Sequence, residues 1–398
     1  MRIACVAGAR PNFVKVAPLR REMLRRAGLD HYLVHTGQHY DAALSEQFFE
    51  ELKITAPDAH LGVGSGTQTW QVAEVMRRLE PVFEDLRPDL VVVVGDVNST
   101  LGAALTAAKI GLPVAHVEAG LRSFDRTMPE EINRMLIDRV SDLLFVTEES
   151  GRRNLLREGA DPAKIHFVGN VMIDALEATK PRWLRSNVFE RLGLDPDRPY
   201  ALLTLHRPSN VDDDGTLAAI LGALGRVARE LPVLFPVHPR TRPGLERCGG
   251  ALGAGSARKV PESGGIVCLE PLGYLDCIAL MSRARLVLTD SGGIQEETTA
   301  LGVACLTLRN NTERPVTVTH GTNRVIGTDR DTIVRESLAT LAAPPRPRQR
   351  PPLWDGRAAR RIVNVMLRHA PRFTTPARRL EPEEASLAAS AASGAVRG

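Results

Sequence analysis

Short apolar runs alternate with amphipathic stretches along the first part of the chain, and this alternation predicts the fold class. The apolar runs are rich in β-branched residues and are typical of buried strands. They are RIACVAG, HYLVHTG, LVVVVGD, PVAHVE, DLLFVT and IHFVGN. Helical patterns such as PNFVKVAPLRREMLRR and NSTLGAALTAAKIG separate them. This order predicts a parallel sheet with helices on both faces.

A second series of the same kind begins after the segment KPRWLRSNVFERLGL. Its strand candidates are YALLTLH, VLFPVHP, GIVCLEP, RLVLTD and ACLTL. We therefore predict an α/β fold of two Rossmann-like, doubly wound domains, with residues 1–172 in the first and 173–345 in the second. The remaining pattern predicts a helix over 353–370 that packs back on the first domain, and a disordered tail over 371–398.

Length, composition and charge support two globular domains and exclude several classes of partner. The 398 residues exceed one ordinary core, and 43% apolar with 25% charged residues is a usual globular balance. The net charge is only +4 and the basic residues are scattered except in the last fifty positions, so we predict no nucleic-acid partner. No apolar run approaches the roughly 20 residues of a membrane helix, so we predict no membrane partner. Five cysteines without a CxxC pair argue against disulfides or zinc and favour the cytoplasm.

The two series share an order that places an acidic residue at equivalent strand exits. LVVVVGDVNST and RLVLTDSGGIQ each run from an apolar strand through an aspartate into a helix, which makes Asp96 and Asp290 equivalent. Ligands of open α/β sheets bind outside the carboxyl ends of the strands. If the two domains face each other, both exits line one central cleft.

Two segments have the composition of phosphate-binding loops. GARPNFVK places Arg10 in the loop and Lys15 on the next helix, which suits phosphate oxygens near a helix N-terminus, although a solvated surface pair has the same pattern. It is not GxGxxG, which argues against a dinucleotide fold. TDSGGIQEE opens a helix whose free N–H groups could hold a diphosphate, with an acid one turn further for a ribose; the residues are Ser291, Gly292, Gly293 and Glu297. An ordinary N-cap explains the serine but not two adjacent glycines.

Two further strand exits carry charged residues. LLTLHRPSN ends the first strand of the second domain with His206, and RNNTERP brings Glu313 and Arg314 beyond a later strand. A lone histidine is more often a structural loop residue than a catalyst, but an exit that points at a cleft favours a catalytic role. For Glu313 and Arg314, a salt-bridged loop is the alternative to ligand binding.

The densest acidic segment is HVEAGLRSFDRTMPEEINR, which follows an apolar strand. Its carboxylates, Glu118 and Glu130 among them, either aim into the cleft or form a buried ion-pair network with Arg122 and Arg134. Glu130 and Glu131 are adjacent, and side chains of neighbouring helical residues point about 100° apart. At most one of these two carboxylates is therefore expected to face the cleft.

Together these motifs resemble the non-hydrolysing UDP-N-acetylglucosamine (UDP-GlcNAc) 2-epimerases and their relatives on other 2-acetamido UDP-sugars. The matching strings keep the family's order from about residue 3 to about residue 327. They are GARPNFVKVAPL, TGQHYD, GDVNSTL, HVEAGLRS, MPEEINR, VGNVMIDAL, HRPSN, DSGGIQEE, TERPVTV and GTNRVIG. The family's fold is two Rossmann-like domains similar to the GT-B glycosyltransferases, in agreement with the pattern above.

The resemblance also implies a reaction and a set of site residues. The implied reaction interconverts UDP-GlcNAc and UDP-ManNAc by anti elimination of UDP to 2-acetamidoglucal and re-addition, without a cofactor or a metal. The implied substrate-binding residues are Arg10, Lys15, Ser291, Gly292, Gly293, Glu297 and Arg314. The implied catalytic residues are Asp96, Glu118, Glu130 and His206. The resemblance further implies a homodimer.

Three alternatives remain open from the sequence. GLRSFDRTMPEEINR is also close to relatives that epimerise UDP-2,3-diacetamido-uronic acids. A GT-B glycosyltransferase shares the fold and the nucleotide site but does not need three carboxylates on the first-domain side. A non-catalytic UDP-sugar sensor would bind without turnover, and the intact acidic set argues against it.

Overall fold

The computed structural model describes residues 1–37, 42–248, 260, 265–344 and 349–373, without the side chains of residues 10 and 42–46. Its strands form two sheets in which every neighbouring pair is parallel. The first sheet contains β1 (Arg2–Ala7), β2 (Asp30–His35), β3 (Ala59–His60), β4 (Leu90–Val94), β5 (Val114–Ala119), β6 (Leu143–Val146) and β7 (Ile165–Phe167). The second contains β8 (Ala201–Thr204), β9 (Val233–Pro236), β10 (Ile266–Leu269), β11 (Leu286–Thr289), β12 (Cys305–Thr307) and β13 (Asn323–Val325).

Helices connect the strands of both sheets. Those of the first half are α1 (Arg10–Met23), α2 (Ala42–Leu52), α3 (Gln68–Leu86), α4 (Asn98–Lys109), α5 (Pro129–Val140), α6 (Glu149–Arg157) and α7 (Val171–Trp183). Those of the second half are α8 (Val188–Leu192), α9 (Pro208–Val211), α10 (Asp214–Val227), α11 (Arg242–Arg247), α12 (Tyr274–Arg283), α13 (Gly292–Leu301), α14 (Val316–Thr319), α15 (Arg330–Ala342) and α16 (Ala358–Phe373). A 3₁₀ turn at Pro162–Lys164 precedes β7.

The strand order confirms the predicted fold class of two Rossmann-like domains. The first sheet runs β3-β2-β1-β4-β5-β6-β7 and the second runs β10-β9-β8-β11-β12-β13. Each reverses its order next to its first strand, which is the doubly wound arrangement. All strands except β3 and β13 coincide with a predicted run. Those two are edge strands of two and three residues, too short to show a period of their own.

Burial on both faces of the sheets explains the continuous apolar runs. In β4, Val91 and Val93 pack in one hydrophobic cluster while Val92 and Val94 pack in another on the opposite face. All of these side chains are inaccessible to solvent. A strand that alternates its side chains between two buried faces has no polar face, so its sequence is apolar throughout.

Two helices connect the halves of the molecule. Helix α7, which contains the predicted boundary between 172 and 173, packs against α1 and α16 on one side and α12 and α13 on the other. Helix α16 contacts α1 and α7, and the Asp174 carboxylate accepts the N–H groups of Ala358 and Ala359 at 3.0 and 2.7 Å. These bonds cap the first turn of α16. The helix predicted over 353–370 spans Ala358–Phe373, so the first three residues of the predicted disordered tail are helical, and residues 374–398 lie outside the described residues.

Replacing Gly169 by alanine is expected to destabilise the protein by about 3 kcal/mol or more because of strain and a backbone clash. Gly169 has a φ of +85°, and a Cβ there would lie 2.1 Å from the Leu353 carbonyl oxygen. The matched control is Gly159→Ala, where φ is +79° but nothing lies within 4 Å of the new Cβ. It should cost only about 1 kcal/mol. Equal shifts of the urea unfolding midpoint in the two variants would contradict the packing of the C-terminal segment at Leu353 against Gly169.

Candidate active site

The carboxyl ends of the two sheets face each other across a cleft lined by charged side chains. Arg314 of the second domain donates to Glu118 of the first at 2.6 Å, and Arg207 lies 3.8 Å from Glu130. The segments after β1, β4, β8 and β11 flank the points where the strand order reverses, and these segments carry Lys15, Asp96, His206 and Ser291. Ligands of open α/β sheets bind at such points.

Glu118 occupies a strained position at the end of β5. Its φ is +78°, in the left-handed region that residues other than glycine rarely adopt, and the pairing of β5 with β6 shifts register between Val117 and Ala119. A bulge of this kind redirects a side chain, and its strain persists only where the surroundings fix it. Here the carboxylate is buried and forms ion pairs with both Lys15 and Arg314.

Asp96 is held by a cation of its own domain. Its carboxylate pairs with Arg134, which also pairs with the buried Glu131 at 2.6 Å. Burial alone would raise the pKa of Asp96, but the charges of Arg134 and Lys15 outweigh it and hold the pKa below its ordinary value. The Asp96 carboxylate is therefore ionised at neutral pH.

The adjacent glutamates at the start of α5 point in different directions. The Glu131 carboxylate is buried and accepts the N–H groups of Ser123 and Phe124 at 2.9 Å each, so it holds the loop before the helix. The Glu130 side chain is 38% exposed and faces Arg207 across the cleft. Of the two, only Glu130 lies where it could meet a ligand.

Arg314 is the centre of the charge cluster. Besides Glu118, its guanidinium pairs with Glu296 at 2.8 Å and with Glu313. Burial would lower the pKa of Arg314, but the surrounding carboxylates raise it well above its usual value. Glu313 shows the converse: burial favours its neutral form, yet Arg314 and Arg309 hold its pKa well below the usual range. The cluster therefore surrounds one buried guanidinium with three buried carboxyl groups.

The start of α13 has the features of an anion-binding helix end. Ser291 is the N-cap residue, but its hydroxyl makes no capping hydrogen bond. A Cβ at Gly292 would lie 2.2 Å from Arg314 Nη1, so glycine is what allows the guanidinium to lie over the helix start. At Gly293 a Cβ would make ordinary contacts, with Met172 Cε at 3.5 Å and Ser291 Oγ at 4.0 Å. The N-terminus therefore combines free N–H groups, a hydroxyl and a cation.

Glu297 lies one turn into α13 with its Oε1 buried. Burial raises the pKa of Glu297 to about 8, and the nearby Tyr274 hydroxyl partly opposes the rise. Neither Glu297 Oε1 nor the Tyr274 hydroxyl has a hydrogen-bond partner of good geometry within the described ranges. Burial likewise raises the pKa of Glu296 to about 7. Glu297 and Tyr274 thus offer polar groups for a ligand's hydroxyls.

His206 is oriented by Asp290. The imidazole Nδ1 lies 3.0 Å from Asp290 Oδ1, and the backbone N–H groups of His206 and Arg207 donate to the same carboxylate. Burial would raise the pKa of Asp290, but the hydrogen bond from His206 outweighs it and the pKa is lowered. With 38% of its side chain exposed, His206 can present the other ring nitrogen to the cleft. Asp290 itself turns away from the cleft into this loop.

The structure brings most of the predicted site residues together. Lys15, Asp96 and Glu118 lie on the first-domain side, where Glu130 completes the set. Their counterparts in the second domain are His206, Ser291, Gly292, Gly293, Glu297 and Arg314. The backbone of Arg10 begins α1, but its side chain lies outside what the structure describes. Over the described ranges, no group of three His, Cys, Asp or Glu side chains is arranged as metal ligands.

One acidic residue near the domain junction was missed by the sequence analysis. Glu148 follows β6, its carboxylate accepts the Val316 N–H of the second domain at 3.4 Å, and its Oε2 has no hydrogen-bond partner within the described part of the chain. Burial raises the pKa of Glu148 to about 7. The only signal was the string TEES after a strand, and it resembles an ordinary helix start.

Fold and cleft together define a class: two-domain α/β proteins of GT-B-like architecture that take a ligand between their sheets. A family model described as UDP-N-acetylglucosamine 2-epimerase matches residues 21–367. The UDP-N-acetylglucosamine 2-epimerase of Methanocaldococcus jannaschii is 39% identical over 92% of this chain and 99% of its own. A crystal structure of that species' enzyme in complex with UDP-GlcNAc and UDP has a TM-score of 0.85 at 38% identity, covering 92% of this chain and all of that one.

A second relative differs in its substrate. The UDP-2,3-diacetamido-2,3-dideoxy-D-glucuronate 2-epimerase of Pseudomonas aeruginosa is 41% identical over 86% of this chain and 92% of its own. The chain belongs to the UDP-N-acetylglucosamine 2-epimerase family and is an isomerase. This membership favours the epimerase over the glycosyltransferase interpretation. Among the described residues, no helix combines the length and apolarity that crossing a bilayer requires.

Proposed function

We propose that this protein is a non-hydrolysing epimerase that interconverts UDP-GlcNAc and UDP-ManNAc by inverting C2 of the sugar. One observation carries the proposal: the Glu118 carboxylate of one domain lies between Lys15 and Arg314, beside the anion-binding start of α13 in the other domain. A carboxylate base and a diphosphate site are thus adjacent. That is the arrangement required to remove a sugar proton while a nucleotide departs.

The nucleotide would bind mainly to the second domain. The N–H groups and hydroxyl at the start of α13 suit the diphosphate, together with the Arg314 guanidinium above it. Glu297, whose buried Oε1 has no hydrogen-bond partner of good geometry among the described residues, would accept a ribose hydroxyl. Lys15 would contribute a cation from the first domain, and by family resemblance so would Arg10.

The proposed chemistry is a reversible elimination. A carboxylate takes the C2 proton, the electron pair of the C–H bond forms the C1–C2 double bond, and the C1–O bond breaks to release UDP. The products are 2-acetamidoglucal and UDP with one proton on the enzyme. Lys15, Arg314 and the N-terminus of α13 would stabilise the charge that grows on the β-phosphate. Re-addition of UDP with protonation of the opposite face of C2 gives the epimer.

Two faces of C2 require two proton-handling groups. Glu118, Asp96 and Glu130 line the first-domain side, and each faces a different set of cations. Glu118 is our candidate base. A diphosphate that drew Lys15 and Arg314 to itself would leave this carboxylate without its two cations, and the carboxylate could then accept the C2 proton. His206, held by Asp290, would donate a hydrogen bond to the departing phosphate and stabilise its growing negative charge.

A second substrate is favoured by a specific observation. The P. aeruginosa relative acts on a diacetamido glucuronate and is 41% identical to this chain, and its activity would need the same groups around C1 and C2.

To decide between the two substrates, the purified protein is incubated separately with UDP-GlcNAc and with UDP-2,3-diacetamido-glucuronate, and the nucleotide sugars are separated by chromatography. We expect an epimeric product from UDP-GlcNAc. Product from the diacetamido uronate alone would correct the substrate, and product from neither would overturn the proposal.

UDP-GlcNAc binding near neutral pH is expected to take up protons. Burial raises the pKa of Glu296 to about 7 and that of Glu297 to about 8, so both are partly ionised there, and an arriving diphosphate disfavours their charged forms. Affinity should therefore rise as the pH falls from about 8 to about 6. Calorimetric titrations in buffers of different ionisation enthalpy measure this uptake. Binding heats independent of the buffer would contradict it, and Glu297→Gln should reduce the uptake.

A further inference from the structure

A carboxylate of the first domain caps a helix of the second. Glu51, in the last turn of α2, accepts the backbone N–H of Tyr274 at 2.6 Å and that of Leu275 at 3.3 Å through its Oε2. These residues form the first turn of α12, whose N–H groups have no partner within the helix. Among the described residues, no side chain of the second domain accepts these N–H groups, so the first turn of α12 is capped through contact between the domains.

The contact is closely packed. A Cβ on Gly273, the residue before α12, would lie 2.2 Å from Glu51 Oε1 and 2.2 Å from Gln47 Nε2. Gln47 in turn donates to Glu51 at 2.8 Å, which orients the carboxylate. The rings of Phe48 and Tyr274 lie 6.3 Å apart, so the apolar side of α2 also faces α12. Only glycine at 273 allows the carboxylate to approach so closely.

The capped turn carries a side chain of the nucleotide site. Tyr274 is buried, and its hydroxyl lies beside the Glu297 carboxyl, the group to which we assign a ribose hydroxyl. Glu51 itself reaches neither of these polar groups. Its Oε2 instead contacts the backbone N–H groups of the turn that places Tyr274.

We propose that Glu51 is a positioning residue: through it the first domain fixes the turn of α12 that holds Tyr274 against Glu297, so nucleotide affinity depends on contact between the domains. The inference rests on the proposed function, because the proposed function places the ribose at Glu297, beside Tyr274. Binding linkage is reciprocal, so bound nucleotide stabilises the contact by the same factor by which the contact improves affinity. Closure of the cleft and binding of the nucleoside are thereby coupled.

The test compares substitutions of two adjacent glutamates. We expect Glu51→Ala to weaken UDP binding by about tenfold, because two backbone donors lose a charged acceptor. Glu51→Gln should weaken it less, since the amide oxygen can still accept one of the bonds. Glu50→Ala is the matched control, because this exposed neighbour contacts the rest of the protein through its backbone carbonyl alone among the described contacts. It should bind UDP as the unmodified protein does.

A second measurement separates positioning from loss of stability. In the absence of nucleotide, amide hydrogen exchange should accelerate in Glu51→Ala at the first turn of α12 but not in the buried strand β4. Glu50→Ala should change neither. In turnover assays Glu51→Ala should raise KM with little change in kcat, because no proposed proton-handling group contacts Glu51.

A steric variant tests the same contact without altering the charge. Gly273→Ala should also weaken UDP binding. Because both substitutions disrupt the same contact, the double variant Gly273→Ala/Glu51→Ala should bind UDP no more weakly than whichever single variant binds it less tightly. UDP affinity unchanged by Glu51→Ala, or exchange accelerated throughout the protein, would overturn the inference. If the unmodified protein does not bind UDP, the proposed function falls together with the inference. If it binds and Glu51→Ala binds equally well, only the inference falls.

Discussion

Replacing Glu118 by glutamine is expected to lower kcat by about 10³-fold, within the usual range for a general base. Glutamine has nearly the same shape but cannot take the C2 proton. Affinity for UDP should be retained or increased, because Lys15 and Arg314 lose the internal carboxylate that neutralises them in the free protein. The measurements are kcat for epimerisation and calorimetric binding of UDP. A loss of turnover without a loss of binding distinguishes a proton-handling role from a structural one.

The matched control for this prediction is Glu149→Gln. Glu149 also follows a strand of the first sheet and pairs with an arginine, Arg152, but half of its side chain is exposed on α6. Its substitution should leave kcat and binding unchanged. Unchanged turnover in Glu118→Gln would contradict the assignment of the base, and an equal loss in both variants would indicate that removal of any carboxylate is harmful.

Replacing Arg314 by alanine is expected to destabilise the protein by about 3–5 kcal/mol, the usual consequence of removing one partner of a buried ion pair. Glu118, Glu296 and Glu313 would be left in the interior without their shared cation. They would escape this cost by binding protons, so the destabilisation should shrink as the pH falls from about 8 to about 6. Urea unfolding at several pH values measures both effects, and UDP binding should be lost as well.

Arg324→Ala provides the comparison for a pair near the surface. Arg324 pairs with Glu336, but 40% of its side chain is exposed, and such pairs contribute about 0–1 kcal/mol. Its effect should be small and nearly independent of pH. If Arg314→Ala unfolded with the same midpoint as Arg324→Ala, the description of Arg314 as the centre of a buried charge array would be wrong.

The fold was largely predictable because the periodic pattern is strong where strands are buried on both faces. Strands such as β4 contain no polar residue and lie between helical patterns, which fixes their type and their parallel direction. The pattern does not contain the strand order, because pairing joins segments distant in sequence. The edge strands β3 and β13 were missed for the opposite reason: each is too short to have a pattern.

The candidate site was predictable as a set of residues but not as a geometry. Asp96 and Asp290 occupy equivalent positions in sequence, yet Asp96 pairs with Arg134 on the cleft side and Asp290 turns into the loop of His206. The direction of Glu118 depends on a bulge with positive φ at a residue other than glycine, which no sequence rule predicts. Glu51 meets its partner Tyr274 from 223 positions away, and only the structure shows that contact.

Several expectations extend beyond the geometry and stay predictions. They are the homodimer implied by the resemblance, the cytoplasmic location and the catalytic roles of the individual carboxylates. Among these, the roles bear most directly on the reaction. The roles of the carboxylates all depend on one claim, that the protein removes and returns the proton at C2 of a UDP-sugar.

The most direct test of that claim is to incubate the protein with UDP-GlcNAc in D₂O and follow the sugar by proton NMR. We predict that UDP-ManNAc accumulates with deuterium at C2, and that deuterium also enters the C2 position of UDP-GlcNAc as the reaction reverses. Formation of UDP-ManNAc that retains the original C2 proton would contradict proton removal. The absence of C2 exchange in both UDP-GlcNAc and UDP-2,3-diacetamido-glucuronate would contradict the proposed function itself.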